Sequence, residues 1–213
     1  MLRSFIAALA FSLAGLAGIA QAADTPPDVL TRTTTQEVLA VLKQDRDIHS
    51  GDMSRVYQLV EAKILPNFDF NRMTQLAVGK NWPRASAQQK QALVAEFRNL
   101  LVRTYSTSLA AFSNQTVEFK PFSMRPGDED VVVRTEIRQP GGQPIPIDYN
   151  MYKTAFGWKV YDVSIDSVSL VTNYRASFAS TIRQHGIDGL IKTLADQSAR
   201  AAASGKPAAR PGS

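Results

Sequence analysis

The segment "YDVSIDSVSLVTNYRASF", residues 161–178, changes its hydrophobic period halfway along. Its first half alternates apolar and polar residues, as Val163 and Ile165 show, which is typical of a strand with one buried face. Its second half places apolar residues four positions apart, beginning with Leu170 and Tyr174, which is typical of a helix. The segment therefore predicts a strand that leads into a helix.

The apolar residues of the two halves also differ in parity. Val163 and Ile165 occupy odd positions, whereas Val168 and Leu170 occupy even ones, so a continuous strand would turn the two pairs to opposite faces. We therefore expect the strand to bulge or to end near Ser167. The apolar side then continues along the helix and forms one wall of the domain.

Other alternating segments precede this strand. Apolar residues alternate with polar or charged ones over 117–119, 131–137 and 145–151, and the Pro- and Gly-rich stretch 139–144 separates the last two as a hairpin turn. With the strand that begins near Trp158, these segments predict four consecutive antiparallel strands. Such a meander has one face that other elements must cover.

Helical patterns lie before and after the predicted sheet. In chain order they cover about 25–48, 52–65, a short stretch closed by Gly79, 86–113, 170–184 and 187–200. The longest of these helices opens on a capping box, in which Ser86 is followed three residues later by Gln89. The order of helices, sheet and helices predicts an α+β domain rather than a doubly wound one.

The first 22 residues have the pattern of a secretory signal. Arg3 precedes an apolar run that reaches Ile19, and a small-residue triplet ends at Ala22. The run is short for spanning the ~30 Å of bilayer hydrocarbon as a retained anchor. We expect cleavage after Ala22, followed by a single domain over 23–200. Because it is small, basic and rich in Pro and Gly, segment 201–213 is predicted to be a disordered tail.

The composition excludes several classes of site. The 213 residues include no cysteine, which excludes disulfides, thiol nucleophiles, thiolate metal sites and a lipidated N-terminal cysteine. Arg3 is the only charged residue of the signal, so its removal lowers the formal charge of +5 by one, to +4. A mildly basic exported protein suits an anionic membrane surface or an acidic partner better than nucleic acid.

Catalytic signatures are absent from the sequence, which has no glycine-rich phosphate loop, no nucleophile elbow and no paired metal-binding histidines. The sequence leaves open an acid/base site of the kind that small isomerases use, formed by Asp148 beside Tyr149 or by Asp162 and Asp166. Asp148 and Tyr149 are consecutive on a predicted strand, however, and point to opposite faces. An enzyme with a pocket carboxylate therefore stays an alternative, as does a periplasmic adaptor with a closed core.

Several segments are shared with a known family. The chain reads "NFDF" at 67–70, "GKNW" at 79–82, "SLVTNYRASF" at 169–178 and "GIDGLIKTL" at 186–194. In this order they resemble the MlaC family, also called toluene-tolerance proteins, and the resemblance extends over nearly the whole mature chain. In one departure, Ser167 stands where the family often has a glycine, which leaves the local backbone open.

The resemblance implies a periplasmic phospholipid carrier of the Mla lipid-asymmetry system. Such a carrier sequesters acyl chains in an apolar cavity and hands lipid between an inner-membrane ABC transporter complex and an outer-membrane lipoprotein complex. The fold it implies is an NTF2-like α+β cone, with a four-stranded meander wrapped by additional helices. It also implies a monomer that is no enzyme, binds no nucleic acid or metal, and holds no cofactor besides its phospholipid cargo.

The apolar faces of the predicted elements supply the candidate lining. Periodicity alone predicts a closed core, whereas the resemblance implies that part of this set lines a cavity. The candidate lipid-binding residues are Phe97, Leu101, Tyr105, Phe119, Val131, Val133, Ile147, Tyr149, Val163, Ile165, Tyr174 and Phe178.

Basic residues are candidates for polar contacts. Arg175 is a head-group candidate by position, with a salt bridge or a helix-terminus role as the alternative. Four further cations either dock on partner complexes or belong to an ordinary solvated face. They are Lys80, Arg84, Arg98 and Arg103.

Overall fold

A five-stranded antiparallel sheet forms the centre of the computed structural model, which describes residues 25–112 and 114–204. The strands lie in chain order across the sheet, so each pairs with its sequence neighbours. Their bounds are β1 Thr116–Phe119, β2 Asp130–Arg138, β3 Ile145–Thr154, β4 Gly157–Ile165 and β5 Val168–Ser169. The α+β class and the meander are confirmed, while the fifth strand was missed because it is only two residues long. The NTF2-like cone stays a prediction.

Helices cover the sheet before and after it in the chain. They are α1 Pro27–Gln44, α2 Arg46–His49, α3 Met53–Leu59, α4 Phe70–Val78, α5 Ala87–Ala110 and α6 Leu170–Ser204. Between α3 and α4 the chain forms a π-helical turn, Val60–Ile64, and a 3₁₀ turn, Leu65–Asn67; a second 3₁₀ turn, Gly79–Arg84, precedes α5. The predicted capping box of α5 is present, with Ser86 Oγ accepting from Gln89 N at 3.1 Å.

The change of period in segment 161–178 results from a tight turn. Strand β4 ends at Ile165, and β5 pairs back onto it through a turn in which Asp166 and Ser167 have φ of 51° and 65°. The prediction that the strand ends near Ser167 is confirmed. Both residues adopt the left-handed conformation that glycine favours.

Asp162 joins the sheet to α6. It is 9% exposed, and its carboxylate accepts hydrogen bonds from Ser169 Oγ at 2.6 Å and from Val171 N at 3.1 Å. Ser169 Oγ in turn accepts from Thr172 N at 3.0 Å. The carboxylate therefore caps the first turn of α6 and fixes the angle at which the helix leaves the sheet.

Buried residues form three apolar clusters. One lies between α4, α5 and α6, where the Phe97 ring packs edge-on against Tyr174 and Phe178 at 5.1 and 5.2 Å between centroids. A second covers the inner face of the sheet, and a third joins α1, α2 and α3. We name the first the closed cluster, because large aromatic rings fill it.

Helix α6 breaks at Gly186, where φ is 72° and ψ is −176°. The predicted pair of helices divided by Gly186 is thus confirmed. The second half reaches Ser204, and Ala201 is buried in the closed cluster, so α6 continues past residue 200; the domain bounds stay a prediction. The predicted signal 1–22 and the remainder of the predicted tail lie outside the described residues. Among the described residues, no helix is long and apolar enough to cross a membrane.

Ser167→Gly is expected to stabilise the fold by about 1 kcal/mol, because glycine adopts the left-handed conformation without the steric penalty of a Cβ. Urea unfolding would measure the change in the free energy of unfolding. Ser123 is also an exposed loop serine but lacks a positive φ. Ser123→Gly should therefore give no gain, and equal effects of the two substitutions would contradict the explanation.

Candidate functional site

Two adjacent apolar cavities lie between the sheet and the helices. The α1 cavity, of about 180 Å³, is lined by one side of α1, by β3 and β4, and by the chain before α4. The α5 cavity, of about 320 Å³, is lined by α5, by the turns before α4 and by the inner face of β3 and β4. Six residues line both cavities: Ile64, Phe68, Leu109, Phe112, Ile137 and Tyr149.

Cross-strand pairing builds the sheet wall of the α5 cavity. In the register of β3 and β4, Ile147 lies opposite Ile165, and Tyr149 lies opposite Val163. Opposed residues of an antiparallel pair point to the same face, so these four side chains form one continuous apolar surface. All four line the α5 cavity.

Few polar groups reach the α5 cavity. Ser106 is 2% exposed, and its hydroxyl has no hydrogen-bond partner among the described residues. Burial raises the pKa of the Tyr149 phenol, so this side chain stays neutral at physiological pH. Of the described residues that line the two cavities, none is Asp, Glu, His, Lys or Arg. The interior therefore favours neutral, apolar groups.

The α1 cavity has a polar edge. Thr31, Thr34, Thr35 and Asn67 lie among its lining residues. The Asn67 side-chain amide donates to Thr34 Oγ1 at 3.2 Å and to the backbone carbonyl of Lys63 at 3.0 Å. This edge offers neutral hydroxyl and amide groups beside an apolar interior.

The segment Asn67–Phe70, which we call the crossing segment, separates the two cavities. Phe68 lines both cavities, Phe70 lines the α5 cavity, and their rings stack at 5.8 Å. Asp69 N donates to Val160 O at 2.9 Å, which ties the segment to β4. Asp69 Oδ1 accepts from Arg72 N at 2.9 Å and caps α4, while the Tyr152 hydroxyl donates to Oδ2.

Arg72 locks the outer side of the crossing segment. Its guanidinium lies over the rings of Tyr152 and Tyr161, at 3.9 and 4.2 Å from their centroids, and 3.4 Å from Asp130 Oδ2. Sequence reasoning missed this cluster, although Asp69 before a helical pattern is a recognisable cap signal. Nothing in the sequence places Tyr152 and Tyr161 beside Arg72, because that contact depends on strand register.

Burial, together with the 2.8 Å hydrogen bond that the Tyr161 hydroxyl donates to Asp130, raises the pKa of Tyr161 to about 12. The unfolded chain releases this proton near pH 10. The contribution to stability is therefore complete below pH 10 and is lost as the pH rises through about 12.

We expect wild type to be more stable than Tyr161→Phe at about pH 9, and this advantage to shrink at about pH 11. Urea unfolding of both proteins at the two pH values checks this. The pKa of Tyr152 is also raised, mainly by its hydrogen bond to Asp69, but Tyr152 is present in both proteins. An advantage that does not change with pH would contradict the assignment.

The structure divides the twelve candidate lining residues into two sets of six. The set that lines the α5 cavity is Leu101, Tyr105, Ile147, Tyr149, Val163 and Ile165. The other set lines neither apolar cavity and comprises Phe97, Phe119, Val131, Val133, Tyr174 and Phe178. Of these, Phe97, Tyr174 and Phe178 fill the closed cluster, Val131 and Val133 belong to the sheet cluster, and Arg32 covers the Phe119 ring. Contact of any of the twelve with lipid stays a prediction.

The other candidates lie away from the two cavities. Arg175 Nε donates to the backbone carbonyl of Leu76 at 3.1 Å, which links α6 to α4. This contact favours the structural alternative over a head-group role. Arg98 pairs with Glu61, whereas Lys80 and Arg84 lie beside α6.

The carboxylates of the enzyme alternative also have structural partners. Asp148 lies 3.8 Å from Arg134 across β2 and β3, and Asp162 caps α6. Asp166 occupies the exposed turn before β5. Within 25–112 and 114–204, no group of three or more His, Asp or Glu side chains is placed to hold a metal ion.

Comparisons with known proteins point to one family. The family described as MlaC protein matches residues 32–196. The toluene tolerance protein ttg2D of Pseudomonas putida is 26% identical over 174 residues, covering 81% of this chain and 80% of that protein. The intermembrane phospholipid transport system binding protein MlaC of Haemophilus influenzae is 24% identical over 175 residues, covering 81% of this chain and 82% of that protein.

A solved structure has a similar fold. The phospholipid-binding protein of Ralstonia solanacearum, determined in complex with a phospholipid, superposes with a TM-score of 0.78. Its sequence is 39% identical, and the match covers 84% of this chain and 99% of that one. The resemblance found in the sequence is thus confirmed.

Proposed function

This chain belongs to the MlaC family, and we propose that it is a periplasmic phospholipid carrier that shelters acyl chains in the α1 and α5 cavities. The observation that carries the proposal is the pair of adjacent apolar cavities with six shared lining residues. The names of its relatives support it, because one is a phospholipid transport protein and another was solved with a phospholipid. Periplasmic location further requires the predicted cleavage after Ala22.

Partitioning supplies the binding free energy. Burial of one methylene group is worth about 0.8 kcal/mol, so two long acyl chains represent on the order of 20 kcal/mol relative to exposure in water. The uncharged lining adds little preference for any one head group. We place the glycerol and head group toward the threonine- and asparagine-bearing edge of the α1 cavity, and not at Arg175.

The crossing segment suggests how two chains are accommodated. Phe68 and Tyr149 line both cavities, so an apolar chain in either cavity contacts the same two rings. One acyl chain in each cavity would leave the ester groups near this partition. The Ser106 hydroxyl lines the α5 cavity and is available to donate to an ester carbonyl there.

Release of such cargo into water would be very slow, because the free energy gained by burying the acyl chains is lost when they enter water. Delivery therefore requires a partner that offers a continuous apolar path, so that the net free energy change is small. We propose that inner- and outer-membrane Mla complexes provide this path to a monomeric carrier. No catalytic step is needed in this scheme, and the protein acts as a binding protein, not an enzyme.

Native mass spectrometry of protein purified from its own periplasm, followed by organic extraction, tests the proposal. A stoichiometric phospholipid is the expected result. Protein that arrives without lipid and also fails to take lipid from membranes would overturn it and favour the closed adaptor. Lipid that is converted to a new product would favour the enzyme.

Filling the α5 cavity should reduce lipid content. Ile165 lines the cavity and is half-buried; Ile145 is also a half-buried strand isoleucine of the sheet cluster but lines neither cavity. Ile165→Trp is expected to lower lipid affinity about tenfold, equivalent to the loss of roughly two buried methylenes. The lipid that each protein retains at equilibrium with excess phospholipid vesicles measures the effect.

Ile145→Trp is the matched control for this substitution, and thermal unfolding shows whether each variant is folded. Ile145→Trp should keep the lipid content of wild type. Equal lipid loss in two folded variants, or no loss in Ile165→Trp, would show that the α5 cavity does not hold the cargo.

A further inference from the structure

A polar pocket lies between the Gly79–Arg84 turn, the start of α5 and the break of α6 at Gly186. We propose that it binds an oxyanion of the phosphate class. The pocket has a volume of about 410 Å³ and is lined by Asn81, Arg84, Gln89 and Arg183, with Ile182 and Ile187 beside Gly186.

The pocket is separate from the two apolar cavities. It shares no lining residue with either of them. Ile182 and Ile187 pack against the closed cluster, which contains Phe97, Tyr174 and Phe178. An anion in this pocket is therefore a second ligand and not the head group of a lipid held in the cavities.

Two exposed arginine residues, Arg84 and Arg183, line the pocket, and neither has an ion-pair partner among the described residues. No carboxylate residue belongs to the described lining. Asp188, the nearby acidic residue of α6, accepts a hydrogen bond from Gln89 Nε2 at 2.8 Å. Two like charges in one pocket attract an anion, and the planar guanidinium matches the paired oxygens of a phosphate.

Asn81 brings an amide to the same pocket. It is 6% exposed, the most buried of the residues that line the pocket, and its side chain has no hydrogen-bond partner among the described residues. Its amide hydrogens are therefore available to an oxyanion that lies between it and the two arginines.

The backbone at the break in α6 also contributes to the electrostatic potential of the pocket. Gly186 has φ of 72° and interrupts α6, so that a new helical segment starts at the edge of the pocket. The N-terminal end of a helix carries partial positive charge and outward N–H groups, both of which favour an anion. The two arginines and the start of the second half of α6 favour an anion, and they act against the partial negative charge at the end of the first half.

Two sources present this chemistry: free phosphate, and the phosphodiester of an anionic lipid head group on a membrane surface. The first test is isothermal titration of the full-length mature protein with inorganic phosphate at low ionic strength. The second is flotation with vesicles of phosphatidylglycerol, compared with vesicles of phosphatidylcholine. Each is carried out on wild type and on Arg84→Gln/Arg183→Gln.

The control removes two charges elsewhere. Arg46 and Arg125 are exposed, and neither side chain forms an ion pair among the described residues, so Arg46→Gln/Arg125→Gln has the same net charge as the pocket variant. We expect the pocket variant to bind the anion at least about tenfold more weakly than this control. Asn81→Leu should weaken binding as well, because it removes the amide donors, and thermal unfolding shows whether this variant is folded.

The outcomes separate the sources. Phosphate binding that depends on the pocket residues supports a site for the free anion. Flotation with phosphatidylglycerol alone that depends on them, without phosphate binding, supports a head-group site. If neither ligand distinguishes the pocket variant from the control, the proposal is overturned.

Discussion

The hydrogen bond from Asp69 N to Val160 O is the constraint on which the interior depends. Between the Leu65–Asn67 turn and α4, the chain is joined to β4 by one parallel bridge, which pairs Phe68 with Val160. The bridge places the Phe68 side chain between the two cavities, and the Asp69 carboxylate starts α4 on the other side. Arg72, stacked on Tyr152 and Tyr161, holds the same crossing from outside. The partition and the helix that closes the domain thus depend on the same few residues.

A cavity forfeits the packing contacts that a filled core would make, so stability must come from elsewhere. The closed cluster supplies it: Phe97, Tyr174 and Phe178 pack ring against ring between α5 and α6, and Leu93, Leu100 and Leu190 are almost fully buried around them. Asp162 fixes α6 at its first turn. The domain is therefore densely packed at one end and hollow at the other, and a ligand that fills the hollow end would stabilise the folded state further.

The sequence allowed the faces of the elements to be predicted, but not the spaces between them. Phe97, Leu101 and Tyr105 follow one stripe of α5, yet Phe97 is enclosed by aromatic residues of α6 whereas Leu101 and Tyr105 line the α5 cavity. Periodicity assigns all three to the interior and cannot tell how far away the facing element lies. The lining residues Phe68, Leu109 and Phe112 were missed for the same reason, because their role depends on the crossing segment. By contrast, the end of β4 and the capping box are local features, and both were predicted correctly.

The charges of the molecule are distributed in a way that suits cargo of varied head groups. On the outer face of β1 and β2, Lys120 and Arg138 each pair with both Glu118 and Glu136, so these four charges neutralise one another. The described lining of both cavities has no ionisable group other than tyrosine. A container of this kind discriminates by the length and fit of apolar chains, since a neutral edge of hydroxyl and amide groups gains little from one head group over another. Under the proposed function, selectivity among phospholipids would be set by the membrane complexes that exchange lipid with this protein, and its cavities would only need to keep the chains out of water.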